Sequence, residues 1–228
     1  MIGQTQKPTE EILEYLEGKA KIVIVGCGGC ATVFHTGGEP EVKEMAKRLT
    51  AEGKEILAAI APPFGEFTCY APWSKNRLNQ FKKEIDECDA ILMLPCGDGL
   101  QVVREFILEE ELEIIKPIYP GTNPIGHMGG GPALFKEKCQ QCGECELGKF
   151  AGICPLTQCA KGLLNGPCGG SNNGKCEVDP ERDCAWIKIY ERLKALGIVE
   201  KMNEIVGPKD WSKMTRPRQI EVEPLELE

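Results

Sequence analysis

Eight cysteines fall between Cys139 and Cys184, in a stretch rich in glycine and asparagine and poor in large apolar side chains. Such a segment cannot bury enough apolar surface to offset its conformational entropy, so it needs staples other than a core. The whole chain of 228 residues holds thirteen cysteines. Its N-terminus, MIGQTQKPTEE, lacks a basic start followed by an apolar run, so a signal peptide is not expected. No stretch approaches the ~18 apolar residues of a membrane span. A cytoplasmic chain is therefore expected. Disulfides rarely persist in that compartment, and clustered cysteines there serve metal or redox chemistry. An odd count fits ligands plus a leftover thiol better than a full set of bridges. The net charge of −8 argues against nucleic acid and anionic membrane surfaces as partners.

The spacing of the eight is informative. Cys139, Cys142 and Cys145 form C-x2-C-x2-C, the opening of a bacterial ferredoxin run, whose fourth cysteine precedes a proline. Cys154 does precede Pro155, although eight residues rather than three separate it from Cys145. Cys159, Cys168, Cys176 and Cys184 follow. Eight thiolates equal two four-thiolate sets, which suits two [4Fe–4S] clusters. C-x2-C pairs also occur in zinc ribbons, so zinc in at least one site stays open, and the pairing of thiolates into sets is not readable. Glycines 143, 152, 169, 170 and 174 would let backbone amides approach the sulfurs.

Ahead of this region the pattern is alternating strand and helix. Lys21–Val25, Glu55–Ile60, Ala90–Leu94 and Ile114–Tyr119 read as apolar strands, the last an edge strand because of Pro117. Thr9 is a candidate cap for a helix ended by Gly18. Val42, Met45, Ala46 and Leu49 share one helical face, as do Leu78, Phe81, Ile85 and Cys88. Leu100–Glu110 reads as a helix. Together these predict an α/β fold: a small doubly wound parallel sheet of about four strands, in order 2-1-3-4. A Cys-rich, loop-dominated cluster-binding domain with a C-terminal helix follows it. The boundary is expected in the Gly/Pro-rich stretch 121–132, giving an α/β domain at 1–132, a ferredoxin-like cluster domain at 133–206 and an acidic extended tail at 207–228. Trp186, Ile189, Leu193 and Leu196 mark the C-terminal helix, which with Pro-flanked loops is expected to build a docking surface.

In the first domain Cys27 and Cys30 follow strand one, Cys69 lies in the loop after strand two, and Cys96 follows strand three. All four fall at the carboxyl edge of a parallel sheet, where doubly wound folds bind ligands. A third metal cluster there is geometrically sensible, against the reading of Cys69 and Cys96 as small loop or core residues. Cys88, on a helix's apolar face, reads as a buried inert thiol. Gly26 to Ala31 also satisfies G-x-G-x-x-A, a dinucleotide fingerprint, but the acid expected after strand two is replaced by Ala61-Pro62-Pro63. His35 and His127 read as exposed loop residues and Asp98 as a turn residue. Paired catalytic carboxylates, a catalytic triad and a P-loop are not evident.

The run from Cys142 to Leu193 resembles the cysteine-rich region of the methylenetetrahydrofolate reductase C-terminal family, which includes the small MetV-type subunits. Its most specific pieces are Asn165-Gly166-Pro167-Cys168-Gly169-Gly170 and Cys184-Ala185-Trp186 followed by Ile189-Tyr190. VGCGGC and LPCGDG resemble the family's N-terminal part. The resemblance implies iron–sulfur sites, zinc in some descriptions, on Cys27, Cys30, Cys69 and Cys96 and on Cys139 through Cys184. It implies a hetero-oligomer with a flavin-containing MetF-type subunit, a TIM barrel with FMN or FAD, that reduces methylenetetrahydrofolate to methyltetrahydrofolate in one-carbon metabolism. This chain has no barrel and no flavin motif. Its implied part is that of a non-catalytic oxidoreductase subunit, passing electrons from a redox protein to that flavin. The alternative is a zinc-binding scaffold or accessory subunit of a one-carbon methyl-group enzyme.

Overall fold

The structure, a computed structural model, describes residues 1–131, 133–217 and 220. The chain divides into two compact units, Met1–Lys136 and Glu137–Glu228.

The first unit is built on a four-stranded parallel sheet. Its strands are β2 (Lys21–Val25), β3 (Glu55–Ile60), β4 (Ala90–Met93) and β5 (Ile118–Pro120), in the order β3-β2-β4-β5. This is the anticipated 2-1-3-4 order, with the Pro-containing strand at the edge. The last strand is shorter than the sequence implies: it begins at Ile118, just after the Pro117 carbonyl that accepts from the Ile91 amide at 2.9 Å.

Strand alternation divides the core in two. Ile22, Ile24, Ala90, Leu92 and Leu94 face α1 (Thr9–Tyr15) and α3 (Glu39–Ala51), meeting Ile12, Leu16, Val42, Met45 and Leu49. Val23, Val25, Ala58, Ile60, Ile91 and Met93 face the other way. They meet Leu78 of α4 (Ala71–Leu78), Ile85 of α5 (Lys82–Glu87), and Val103, Ile107 and Leu108. Side chains this buried each contribute about 1.5–3 kcal/mol relative to exposure. Both faces are thus apolar, which explains why the strands read as continuous hydrophobic runs rather than alternating ones. α2 (Cys30–Val33) is a single turn, and α6 (Gly97–Val102) widens into a π-helix over Val103–Glu109. Thr9 does not cap α1. It is the first helical residue, after Pro8, and no side chain caps that end.

Two strands escape the sequence reading. β1 (Ile2–Gln6) pairs antiparallel with β6 (Thr122–His127), with a bulge between Gly3 and Gln4. The stretch 121–132 therefore carries a strand of the first unit. Both strands are polar, and β6 contains Pro124, which a two-stranded ribbon tolerates because each strand has a free edge.

In the second unit α8 (Ala185–Ala195) packs Trp186, Ile189 and Leu193 against Phe150 and Val206. Phe150 and Trp186 meet edge-on at 5.5 Å between ring centroids. This small core takes up Trp186, Ile189 and Leu193 of the helix's apolar face, while Leu196 stays exposed. α7 (Pro155–Gln158) is one turn lying between Cys154 and Cys159. The tail from 207 is not extended throughout as far as 217: Trp211–Met214 forms a 3-10 turn capped by the Asp210 side chain. The acidic residues 221–228 lie outside the described residues. Among the described residues no helix is long and apolar enough to cross a membrane.

Candidate metal centres

In the first unit the strand order reverses direction at β2, whose loop faces that of β4 across the carboxyl edge. The β2 loop carries Cys27 and Cys30, the β4 loop carries Cys96, and the loop after β3 brings Cys69. Hydrogen bonds fix these loops on one another. Thr68, buried beside Cys69, donates through its hydroxyl to the Gly26 carbonyl at 2.8 Å, and Ser74 donates to the Thr68 carbonyl at 2.7 Å. Thr122 of β6 donates to the Pro95 carbonyl at 2.8 Å, holding the turn before Cys96.

The four thiols of this edge share one electrostatic environment. Cys27 and Cys96 are buried, Cys30 is half-buried and Cys69 is exposed at the rim. Desolvation of its sulfur, and then the neighbouring Cys96, Cys27 and Cys30, push the Cys69 thiol up to about 11. Burial also raises the Cys96 thiol, opposed by the Gly99 and Asp98 amides that point at its sulfur from the first turn of α6. Further amides support the other sulfurs: Gly29 donates to Cys27 at 3.3 Å, and Ile2 of β1 donates to Cys30 at 3.2 Å. Such donors stabilise a thiolate or a metal-bound sulfur. Near Cys69 in the sequence lie the exposed aromatics Phe64, Phe67, Tyr70 and Trp73; Tyr70 and Trp73 meet edge-on at 4.9 Å.

The glycine-rich loop itself holds no open cradle for a pyrophosphate. Its amides are consumed within the protein: Gly26 donates to Ile60, Cys27 to Gly37 and Gly28 to Glu66. The glycines are explained by crowding. A Cβ at Gly28 would meet the Pro63 carbonyl and one at Gly29 the Phe67 ring. The following helix is only four residues long. The dinucleotide reading therefore has no structural footing.

In the second unit Cys159, Cys168, Cys176 and Cys184 line one hollow, with Ser171, Glu177 and Trp186 in its wall. Each is delivered by local structure. Cys184 occupies the N-cap position of α8, where the helix dipole favours negative charge. Cys176 is brought to it by a short antiparallel turn: its amide donates to the Arg182 carbonyl at 2.8 Å, and the Cys184 amide to the Gly174 carbonyl at 2.8 Å. Asp183 secures this turn between Lys175 and Lys188, which hold its carboxyl down at about 2. Cys168 accepts from the Gly170 amide at 3.4 Å. Asn165 clamps the same loop, donating to the Val206 carbonyl and accepting from its amide, while Trp186 donates to the Leu163 carbonyl at 3.1 Å.

Cys139, Cys142, Cys145 and Cys154 remain. Gln141 and Gly143 adopt left-handed backbone, coiling the C-x2-C-x2-C loop, and the Gln141 amide donates to Cys139 at 3.4 Å. Thr157 and Gln158 of α7 bond the Lys138 and Glu137 carbonyls, drawing the loop's start to the helix that follows Cys154. Among the described residues no three Cys, His, Asp or Glu side chains close on a single ion-sized point. Four of the thiols, Cys159, Cys168, Cys176 and Cys184, border one hollow, and Cys27, Cys30, Cys96, Cys139 and Cys168 accept from backbone amides; thiolates with amide donors are the donor chemistry of four-thiolate clusters. Cys88 is buried in the first unit's core and donates to the Ile85 carbonyl. His35 is exposed and lies 3.6 Å from Glu41. His127 is half-buried in β6, and Asp98 lies in the first turn of α6.

Residues 122–212 match the family model described as Methylene-tetrahydrofolate reductase C terminal. This associates the chain with methylenetetrahydrofolate reductases. No curated protein and no solved structure matches the chain.

Proposed function

We propose that this chain is the iron–sulfur, electron-transferring subunit of a methylenetetrahydrofolate reductase, MetV-like, working beside a flavin-containing MetF-type subunit. The observation that carries the reading is that Cys159, Cys168, Cys176 and Cys184 all line one hollow, within the segment matched by the reductase family. Cys139, Cys142, Cys145 and Cys154 would hold a second cluster, and Cys27, Cys30, Cys69 and Cys96 a third. Bound there, [4Fe–4S] groups supply one-electron transfer at potentials set by net charge, sulfur hydrogen bonds and burial.

The chain's own residues supply those settings. The Gly29, Ile2, Gln141 and Gly170 amides aim at sulfurs. Trp186 and Phe150 exclude water behind Cys184. The folate chemistry would belong to the partner, whose flavin would supply the link between one-electron delivery and hydride-level reduction. A reduced one-electron carrier protein is the donor.

The test is anaerobic preparation with iron and sulfide. Three clusters correspond to about twelve iron atoms per chain, with an absorbance that bleaches on reduction and an EPR signal that then appears. Rapid mixing of the reduced chain with the oxidised flavin partner should reduce the flavin. A colourless protein holding stoichiometric zinc would overturn the proposal in favour of a zinc scaffold.

A further inference from the structure

We infer that the buried ammonium of Lys209 is the built-in counter-charge of the cluster site that contains Cys142, and that it raises that site's reduction potential. The inference rests on the iron–sulfur reading above. The Lys209 side chain is 1% exposed. An ammonium is buried to that extent only against acceptors or negative charge. Its Nζ donates to the backbone carbonyl of Glu144, which with Gly143 separates Cys142 from Cys145. It also lies 3.8 Å from Glu144 Oε2.

The same carbonyl oxygen accepts from Cys142 Sγ at 3.4 Å. Ammonium and sulfur therefore share one oxygen as acceptor. A metal-bound Cys142 has lost its proton, so the sulfur stops donating and gains negative charge. Lys209 is the donor that remains on the carbonyl, with N–H groups to spare.

The surrounding charges do not substitute for it. Glu144 is shared with Lys213, whose Nζ lies 2.9 Å from Oε1, and with the Asp210 amide at 3.0 Å from Oε2. Asp210 turns its own carboxylate to Ser212. Lys213 and Glu144 are 46% and 32% exposed, so solvent and salt screen them, whereas Lys209 is shielded from both. A four-thiolate cluster gains one negative charge on reduction. A nearby buried cation stabilises the reduced form more than the oxidised form, and the potential rises.

The experiment is an EPR-monitored redox titration of the anaerobically loaded full chain. Wild type is compared with Lys209→Met, Lys209→Arg, Lys209→Gln and the exposed control Lys213→Met. One cluster's midpoint should fall in Lys209→Met and Lys209→Gln. It should stay near wild type in Lys209→Arg and move least in Lys213→Met. Lys209→Gln keeps a donor to the carbonyl without the charge, so it separates the two effects. An unchanged midpoint in a loaded Lys209→Met or Lys209→Gln protein overturns the inference. So does loss of the cluster in both, which would make Lys209 a folding residue. Wild-type protein lacking iron and sulfide would instead sink the underlying reading.

Discussion

A methyl group on Gly28 would stand 1.8 Å from the carbonyl oxygen of Pro63. The loop bearing Cys27 and Cys30 and the loop leading to Cys69 are thus pressed together at a point where no side chain fits. The contact is reinforced by paired backbone bonds, Gly28 to Glu66 and Gly65 to Gly28. Gly28→Ala should force the two loops apart and cost about 2–3 kcal/mol, as overpacking does. Iron bound at the first unit should fall with it. Gly97→Ala meets nothing within 4 Å and should stay within about 0.5 kcal/mol of wild type. Urea unfolding and metal analysis of the two variants check this.

Cys69 is exposed yet its thiol is pushed up to about 11 from 9.0. In metal-free protein it should alkylate about 100-fold more slowly than an ordinary exposed thiol below pH 9, its rate rising tenfold per pH unit toward 11. The folded state keeps this proton where the unfolded chain loses it. The metal-free fold should therefore lose stability as pH climbs from about 9 to 11. Mass spectrometry of iodoacetamide labelling against pH reads the first effect and denaturant titration the second.

Cys176 and Cys184 meet through one short antiparallel turn and border the same hollow. Replacing either by serine should remove about four iron atoms per chain, the content of one cubane, and not a fraction of each cluster. Cys88→Ala should keep the full iron complement, since that sulfur is held in the first unit's core. Iron quantitation per chain distinguishes the two outcomes.

Trp186 joins the second unit's small core to its thiols: it packs on Phe150, bonds the Leu163 carbonyl and walls the hollow. Trp186→Ala should cost about 3–5 kcal/mol. In iron-loaded protein the thermal transition of the second unit should drop while that of the first unit is unmoved. Differential scanning calorimetry of the whole chain resolves the two.

Much of the first unit was legible because its strands are buried on both faces. Ile22–Val25 and Ala90–Leu94 are unbroken apolar runs, and the helices between them keep one apolar stripe each. The turn at Cys27–Cys30 and the position of Cys96 follow directly from where those strands stop. The β1–β6 ribbon was not legible. Gly3, Gln4, Asn123 and Pro124 carry no apolar alternation, and their pairing joins the two ends of the first unit. The fingerprint-like glycines misled in a similar way. Gly28 and Gly29 signal close approach, but only the fold shows that Pro63 and Phe67 are what approaches.

From the sequence alone came the parallel α/β sheet, the thiols gathered at its carboxyl edge, and a second, thiol-rich region with too little apolar content for a large core. These follow from local period, composition and spacing, which neighbouring residues carry between them. Only the tertiary structure decided that Cys159, Cys168, Cys176 and Cys184 border one hollow, that Trp186, Ile189 and Leu193 of helix α8 pack with Phe150 and Val206, and that Lys209 is buried against Glu144. Each of these is a contact between residues distant along the chain. Packing, charge burial and hydrogen bonding across the folded unit select such contacts, and no local pattern encodes them.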